Sequence, residues 1–410
     1  MNQSQSRMFR YAVAEVCVVA LLIFVCRVAL REPPADKSGH PATVATAPPR
    51  IREVTHPLTL ADNSSPETTA NRLDESATTN AAAIYRQAFA LYEALSNEQK
   101  QVISDWRTNV DASVEAELCE KIQPICDLMH KAAALTNCDW GVEQPITFAT
   151  KLPHLARCLS IARAAVWSAT HCRADDPTGA VDDLVATSRL GQNLSPALIG
   201  HLVDLTIQSR VIDAVTEHAS MLAGVGDSRL VQLFNDAHYE EGLYRAIEQE
   251  ADMGSAEADK LATMPPEEVT RELKGLAGND SESQSVDTVQ VIAAMRQVAD
   301  LEREYTKALG SSDAEYREWL ARLESIRKTN PMAQMFLPVI EQTVDRTQAT
   351  TVRSAMVVAG FAVMQNGTEA LQSHPDPVTG QPFVYTETAD GFELQSGYQF
   401  KGAPLKLSFK

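Results

Sequence analysis

The sequence predicts a mainly α-helical protein: an N-terminal transmembrane helix, a helical bundle or α-solenoid-like domain, and a small C-terminal antiparallel β-hairpin or meander. Three observations carry this prediction. An apolar segment covers residues 11–30, a 3.6-residue apolar period runs through most of the chain after Asn80, and alternating apolar residues flank Asp390-Gly391 near the end. The composition, 44% hydrophobic and 22% charged over 410 residues, is that of a chain that folds.

The first element is a membrane anchor over residues 11–30. It follows Arg7 and Arg10 and is apolar except for Glu15 and Arg27, which lie near its two ends. At about 1.5 Å per residue this segment reaches roughly 30 Å, the thickness of a bilayer's hydrocarbon core. Charged residues at the ends of a span extend their side chains to the interface, so both are compatible with a single crossing.

The position of the anchor predicts its orientation. A short basic N-terminus is retained inside, so residues 1–10 are expected in the cytoplasm and the domain outside, at the cell (inner) membrane. The alternative is a cleavable signal peptide, which also has a basic start and an apolar middle. The absence of a small-x-small cleavage site after Leu22 favours an uncleaved signal anchor.

Residues 31–79 form a predicted disordered linker between anchor and domain. They are rich in Thr, Ser and Ala and lack a sustained apolar period. A flexible coil of this length separates its ends by about 40 Å, and its prolines extend it further. These prolines are Pro33, Pro34, Pro41, Pro48, Pro49, Pro57 and Pro66. The domain is therefore expected to stand off the membrane.

A helical domain is predicted over 80–367. Ser96 with Gln99 forms a capping box, Asp111 is a candidate N-cap, and Asp176-Pro177 and Ser195-Pro196 each place a capping side chain before a first-turn proline. The predicted helices cover 81–95, 97–106, 111–135, 227–252, 286–309, 314–328 and 338–365, with others after Leu155, Pro177 and Pro196. Short connections between long amphipathic helices indicate antiparallel neighbours.

Residues 368–410 form the predicted β-hairpin tail. Alternating runs at 382–386, 392–395 and 405–409 surround the Asp390-Gly391 turn signal. An isolated hairpin is marginally stable, so the tail should pack on the helical domain, most directly on the helix ending at Gln365. The face expected to receive it carries Val344, Ala355, Val358 and Ala362, and the tail residues expected to cover it are Phe383, Tyr385, Phe392, Leu394, Leu405, Leu407 and Phe409.

The tail carries a resemblance through two motifs, Asp376-Pro377-Val378-Thr379-Gly380-Gln381-Pro382-Phe383-Val384-Tyr385 and Asp390-Gly391-Phe392-Glu393-Leu394-Gln395-Ser396. It resembles a C-terminal module of planctomycete-type bacterial proteins and is similar to the tail of type II secretion pseudopilins. The helical part, with Asp139-Trp140-Gly141 and Leu152-Pro153-His154-Leu155, resembles the same uncharacterised membrane-anchored family. The resemblance implies a fold for the tail and attaches no reaction. The pseudopilin pattern departs at the other end, because no Gly precedes the apolar segment for prepilin cleavage.

A partial metal site is the first candidate for chemistry. Cys119, Cys126 and His130 are spaced so that one continuous helix places all three on one face. A fourth ligand is absent, Pro124 lies inside the stretch, and small buried cysteines are common in cores. We therefore expect packing at these positions, with neither metal nor cofactor.

The remaining cysteines leave the disulfide pairing open. Cys158 and Cys172 lie on one predicted helix about 21 Å apart and cannot bridge each other. Cys138 falls in a predicted loop, and bridges between helices remain possible. The odd number of cysteines after the linker favours packing over a disulfide scaffold.

No catalytic motif specifies a reaction. Ser325-Ile326-Arg327-Lys328 matches Ser-x-x-Lys, but it ends a charged helix and no Lys-Thr-Gly strand follows. The polar residues that remain as candidates are scattered over different predicted elements, so a site would have to be assembled in three dimensions. They are Asp139, His154, His171, His201 and His238.

The function predicted from these observations is that of a non-enzymatic, membrane-anchored envelope scaffold or protein-interaction protein, with another envelope protein as partner. The alternative is an extracytoplasmic hydrolase whose site is assembled from several helices. A net charge of −18 excludes nucleic acid as an expected partner, because phosphate-backbone binding needs a basic surface.

Overall fold

The computed structural model describes residues 79–104, 107, 110–147, 150–194, 196–224, 227–277 and 288–410. The predicted anchor at 11–30 and the predicted linker, apart from Thr79, lie outside these residues. In the part of the chain that the structure describes, no helix combines the length and apolar character needed to cross a membrane.

The described chain is mainly helical and ends in a three-stranded antiparallel sheet, which confirms the coarse fold prediction. The helices are α1 Ala81–Glu93, α2 Asn97–Ser104, α3 Ala112–Ala133, α4 His154–Trp167, α5 Pro177–Gln192, α6 Leu198–Glu217, α7 Ala219–Leu222, α8 Asp227–Asn235, α9 Tyr239–Thr263, α10 Pro266–Ala277, α11 Thr288–Leu309, α12 Asp313–Thr329 and α13 Pro331–Asn366. A π-helical turn at Ser168–Cys172 follows α4, and a 3-10 turn at Thr368–Ser373 follows α13. The strands are β1 Val384–Thr388, β2 Gly391–Phe400 and β3 Ala403–Phe409.

Two of the predicted helix starts are confirmed with their capping bonds. The Ser96 hydroxyl accepts from the Gln99 amide at 3.2 Å, and the Gln99 side chain accepts from the Ser96 amide at 3.0 Å. Asp176 accepts from the Gly179 amide at 3.0 Å, with Pro177 in the first turn of α5. Side-chain caps satisfy amides that have no partner inside the helix, which is why these sequence signals locate helix starts well.

Other predicted boundaries were wrong. The helix expected after Ser195 begins at Leu198, with Ala197 as its N-cap. The helix expected over 227–252 is two helices, α8 and α9, because the chain leaves helical geometry between Asn235 and Tyr239.

The last helix begins seven residues before the predicted start, at Pro331 rather than Pro338. The Asn330 side chain accepts from the Ala333 amide at 3.1 Å, so Asn330 caps the helix and Pro331 lies in its first turn. Pro338 lies inside α13. A proline in the sequence therefore does not by itself mark the start of a helix, because it can also lie inside one.

The chain divides into two compact units, and residues of both fall within the helical domain expected over 80–367. The sheet unit comprises described residues of 79–142, 151–242 and 346–410. The second unit comprises described residues of 143–150 and 243–345.

The sheet unit is a helical bundle around one apolar core. Helix α3 packs on α1, α4 and α5, and α5 also packs on α4 and α6, so helices distant in sequence share the same interior. The stripe predicted on the helix after Leu155 is buried throughout: Leu155, Leu159, Ala162, Val166 and Ala169. Because α3 and α5 each have several helical neighbours, a bundle describes this unit better than a linear stack.

The second unit has its own aromatic centre and surface ion pairs. Tyr305 and Trp319 meet edge to face, with their ring centroids 4.7 Å apart, which joins α11 to α12. Arg303 of α11 bonds Asp252 of α9 at 2.9 Å. Helices α9, α11 and α12 of this unit are thereby held by apolar contact inside and charged contact outside.

The C-terminal sheet is a meander in the order β1-β2-β3. Tyr385 of β1 pairs with Leu394 of β2, and Leu394 pairs with Leu407 of β3. The predicted turn at Asp390-Gly391 is confirmed between β1 and β2, where Gly391 has φ 150°. A Cβ on Gly391 would meet the Phe409 carbonyl, so the close approach of β3 requires glycine there.

The sheet packs on the helices of its own unit, as predicted, and one close contact lies on Gly360, which was not among the residues expected to receive it. The Phe409 ring lies directly over Gly360 of α13, where any Cβ would collide with it. Phe409 also stacks on Phe392 with ring centroids 4.7 Å apart. At the chain end, the Lys410 amide donates to the Thr216 carbonyl at 3.1 Å and the Lys410 carbonyl accepts from the Ser220 amide at 2.8 Å.

The Asp376-Pro377-Val378-Thr379-Gly380 motif forms a closed turn that supports the sheet. The buried Asp376 carboxylate accepts from the Val378 amide at 2.8 Å, the Thr379 amide at 3.1 Å and the Ser396 hydroxyl of β2. Gly380 has φ 68° and donates its amide to the Asp376 carbonyl at 2.8 Å. The residue types of this motif thus follow from the geometry of the turn and from the hydrogen bonds of one buried carboxylate.

Removing the Phe409 ring should strongly destabilise the sheet unit. Phe409→Ala leaves a cavity between β2 and α13, so we expect the free energy of unfolding to fall by about 3–5 kcal/mol. Val384→Ala, on the exposed edge of β1 where the side chain is 58% accessible, is the control and should change stability by less than about 0.5 kcal/mol. Denaturant unfolding of both variants is the measurement. If the two variants unfolded at the same denaturant concentration, the tail would not contribute to the core.

Candidate functional site

The strongest concentration of polar groups in the sheet unit surrounds the carboxylate of Asp183, and we call these residues the Asp183 cluster. Asp183 of α5 is fully buried. Its carboxylate faces His130 Nε2 at 2.8 Å, accepts from the Ser168 hydroxyl at 2.7 Å and lies 3.4 Å from Arg173 Nε. The Cys126 thiol adjoins the same groups. Three segments, α3, the π-helical turn and α5, therefore converge on one buried charge.

A disulfide fixes two of these three segments to each other. Cys119 of α3 bridges Cys172 of the π-helical turn across 53 residues of sequence. On the same turn, His171 stacks on Trp167 with ring centroids 4.6 Å apart and faces Glu115 at 3.4 Å. Single turns of π-helix within α-helices are often found at functional sites, which makes this segment a candidate region.

Contact with Asp183 and burial together shift the pKa values of His130 and Cys126. The hydrogen bond to Asp183 raises the pKa of His130, although partial burial acts in the opposite direction. Burial raises the pKa of the Cys126 thiol well above its usual range, and the nearby Asp183 charge raises it further. Cys126 is accordingly a protonated, unreactive thiol at neutral pH.

The order of contacts decides what chemistry the cluster supports. In a nucleophilic triad the histidine stands between the serine and the carboxylate. Here Asp183 stands between Ser168 and His130, so the histidine is not placed to take the Ser168 proton. Ser168 is also buried, which removes it from a substrate. The chemically useful part is the pair of His130 and Asp183, in which a partly exposed imidazole is oriented by a buried carboxylate.

The structure brings together two of the three residues in the proposed partial metal site. Cys126 and His130 share the Asp183 cluster, and α3 continues through Pro124 as one helix. Cys119 is consumed by the disulfide and is not a ligand. Among the described residues, no group of three His, Cys, Asp or Glu side chains is arranged to hold a metal ion. The expected packing role was wrong for Cys119, which forms with Cys172 one of the bridges between elements that the sequence left open, while Cys126 is a buried free thiol.

Cys138, Cys158 and the candidate residue His154 belong to the apolar core near α1. His154 and Cys158 are buried in it, and Cys138 packs against it. His154 is buried and stacks on Trp140 with ring centroids 4.6 Å apart, and burial lowers its pKa to about 4. Cys158 is a buried free thiol, and Cys138 is a partly buried one. A neutral buried imidazole on a tryptophan face is a packing arrangement, and these residues do not join the Asp183 cluster.

The other candidates have separate surroundings. Asp139 accepts from the Gly141 amide at 2.8 Å in a local turn. His201 is buried against Thr347 of α13, with its Nε2 2.9 Å from that hydroxyl. His238 is exposed beside Glu241. Ser325 is exposed on α12, so the Ser-x-x-Lys match belongs to a charged helical surface.

A second carboxylate of interest, Asp204, was missed in the sequence. It lies on α6 beside Gly191 of α5, where a Cβ would collide with its Oδ1, and it accepts from Gln208 Nε2 at 2.8 Å. Burial raises the pKa of Asp204 to about 7. Both Asp183 and Asp204 could have been noticed as acidic residues beside core positions of amphipathic helices. Their partners come from other helices, which the sequence does not reveal.

Comparisons with protein-family models, with curated proteins and with solved structures found no match to this chain.

Asp204 provides a pH-dependent test of this arrangement. Its folded-state pKa lies above the ordinary carboxylate value, so ionisation opposes folding: the cost is absent near pH 4, grows as pH rises, and is complete above about pH 7. Asp204→Asn removes that cost and keeps an oxygen for Gln208. Because Asp204 retains some solvent access, we expect a gain of about 1–2 kcal/mol at pH 8 and little at pH 4. The exposed Asp127→Asn is the control, and a pH-independent difference for Asp204→Asn would contradict the burial argument.

Proposed function

We propose that this protein is a single-pass cell-envelope protein whose helical domain acts outside the cytoplasm as a scaffold for another envelope protein. Residues 11–30 form the anchor, 31–79 the linker, and the cytoplasmic part is limited to 1–10. The net charge of −18 is compatible with a protein partner and disfavours nucleic acid.

The observation that carries the proposed location is the disulfide between Cys119 and Cys172. Disulfides persist in oxidising compartments and are rare in the cytosol of most organisms. The bridge lies in the domain that follows the predicted anchor. The apolar segment and the disulfide therefore support the same location, outside the cytoplasm. Neither observation depends on the other.

The scaffold role is supported by how the polar residues are used. Asp183 binds three donors, one from α3 and two from the π-helical turn and the residue after it, and Asp376 binds the turn that supports the sheet. These buried carboxylates hold secondary-structure elements together. A bundle fixed in this way presents a rigid surface on an extended linker, which is an arrangement suited to binding.

Membrane topology is the first test. The full-length protein should sediment with membranes and resist carbonate extraction, and protease added outside the cytoplasmic membrane should remove residues after the linker. Without reductant, the domain fragment should migrate faster than the fragment of Cys119→Ser/Cys172→Ser, because the bridge compacts the unfolded chain. A soluble protein shortened by its first thirty residues would establish cleavage, and protection from external protease would reverse the orientation.

The scaffold role is tested on membranes solubilised in mild detergent. We expect the full chain to migrate in a discrete complex with one reproducible partner, and a chain reduced to residues 1–79 to lose that partner. The shortened chain is a matched control because it keeps the anchor and the linker. Migration of the full chain as an isolated molecule after crosslinking in intact cells would exclude the scaffold.

A second candidate function, hydrolysis, is favoured by one observation: the partly exposed His130 is oriented by the buried Asp183. If His130 acts as a general base, turnover should rise with pH as the imidazole loses its proton, at a pH above the usual range for histidine. His130→Gln should then reduce turnover of ester or peptide substrates by about 100-fold or more, with the fold retained. His238→Gln is the exposed-histidine control, and equal rates for both variants would exclude this candidate.

A further inference from the structure

The first strand of the C-terminal sheet, β1, leaves one edge open. In the order β1-β2-β3 it is an outer strand, and in the described part of the chain it pairs with β2 on one side. Four of its five residues are exposed, including Val384 at 58% accessibility. An exposed strand edge presents backbone N–H and C=O groups that can pair with another strand.

The opposite edge of the sheet is covered at its end. Strand β3 contacts helix α6, and the Lys410 amide that follows β3 donates to the Thr216 carbonyl of that helix at 3.1 Å. Strand β1 also lacks features that usually protect an edge, because within Val384–Thr388 there is no lysine, no proline and no bulge. The register shift of this sheet lies between β2 and β3. The open edge is therefore that of β1.

The turn after β1 decides which of its backbone groups point outward. Thr388 and Gly391 pair across a two-residue turn, and residues that flank such a turn exchange hydrogen bonds with each other. Hydrogen-bonded pairs alternate along an antiparallel ladder, so Thr386 is also directed to β2. Tyr385 and Glu387 therefore turn their N–H and C=O groups to the open edge.

The sequence of β1 is complementary to itself about Thr386. Two copies aligned antiparallel, with Thr386 opposite Thr386 of the second copy, bring Tyr385 opposite Glu387 and exchange about four backbone hydrogen bonds. On the exposed face Val384 then meets Thr388, so every pair on that face is β-branched. The next alignment towards the turn places Glu387 opposite its own copy, and the next one away from it leaves Thr388 unpaired. Only the alignment about Thr386 uses the whole strand without opposing like charges.

We propose that β1 is a docking strand for a second copy of this chain, with the two β1 strands antiparallel about Thr386 and the two sheets joined into one. Pairing of this kind extends a sheet through backbone hydrogen bonds, while side chains on alternate positions set the register. The contact uses the same surface on both copies, so it closes as a dimer and does not propagate into a filament.

The size of the contact sets its strength. Five residues from each copy are far fewer than the roughly 20–30 residues a side that form a stable interface. Pairing is therefore weak between molecules that diffuse freely. Confinement to one membrane raises the effective concentration of the copies and strengthens the pairing. The strength of the dimer, but not its geometry, thus rests on the proposed membrane location.

The experiment measures the alignment with single cysteines in the full-length chain, both in membranes and after purification in detergent at high protein concentration. A mild oxidant is added, and the disulfide-linked dimer is compared on non-reducing gels with that of the parent chain, which has cysteines of its own. Thr386→Cys should give at least about fivefold more dimer than the parent, because directly opposite Cα atoms in a pair without hydrogen bonds lie about 4.5 Å apart, within reach of a disulfide.

Val384→Cys and Thr388→Cys are the matched controls, because both residues are exposed on the same face as Thr386. Each lies opposite the other and about 13 Å from its own equivalent, at about 3.3 Å per residue. Alone, each should give only the dimer level of the parent, and together on differently tagged chains they should give the mixed dimer. Equal dimer from all three single variants would overturn the proposal. So would no dimer above the parent from Thr386→Cys, or its capture of a different protein.

Glu387→Pro tests the backbone hydrogen bonds of the docking strand. Its N–H points to the open edge, so proline removes a bond to the second copy and none to β2, which an edge strand tolerates. Added to Thr386→Cys, it should lower the dimer at least about fivefold and leave the melting midpoint unchanged. Glu387→Gln keeps the N–H and should keep the dimer. Equal dimer in these two variants would contradict strand pairing.

Fractionation of the same samples separates this inference from the proposed function. Dimer in the predicted alignment from the purified chain, together with loss of membrane association, would overturn the anchor and uphold the pairing. Membrane association without that alignment in either preparation would overturn the pairing and leave the anchor in place.

Discussion

The buried carboxylate of Asp183 is the constraint on which the rest of the bundle depends. A charge removed from water costs several kcal/mol unless donors replace its hydration, and removing one partner of a buried ion pair costs about 3–5 kcal/mol. Asp183 of α5 obtains its donors from His130 of α3 and from Ser168 and Arg173 at the two ends of the π-helical turn. Helices α3 and α5 and the π-helical turn are thus fixed in mutual position, and the Cys119–Cys172 bridge makes part of that arrangement covalent.

The same principle orders the C-terminal sheet. Asp376 obtains its donors from the amides of its own turn and from Ser396 on β2, so the polar interaction closes a short segment of chain. Apolar contact then joins the sheet to the helices through Phe409 and Gly360. A small sheet has too little apolar surface to be stable alone, and burial against α13 and α6 supplies what it lacks.

The charged groups of the sheet unit differ in how fully their hydrogen-bonding capacity is met. Asp183 and Asp376 have their partners, which is the behaviour of residues that hold a fold. The Nε of Arg210 has no hydrogen-bond partner among the described residues, and Asp213 and Glu217, which follow it on α6, are bonded to Arg353 and Arg107.

Sequence by itself determined the features whose physical causes are local. The Ser96 and Asp176 caps, the Asp390-Gly391 turn, the buried stripe from Leu155 to Ala169 and the helix-then-sheet order were all predicted correctly, since each follows from the geometry of a few neighbouring residues. The start of α13 was misplaced although Asn330 and Pro331 carry a local capping signal, which Leu337 and Pro338 lack. The tertiary structure alone decided the disulfide partner of Cys119, the donors of Asp183 and the contact of Phe409 with Gly360. Each of these depends on which residues distant in sequence are brought together, and helix packing sets those contacts through buried area and shape that no single helix contains.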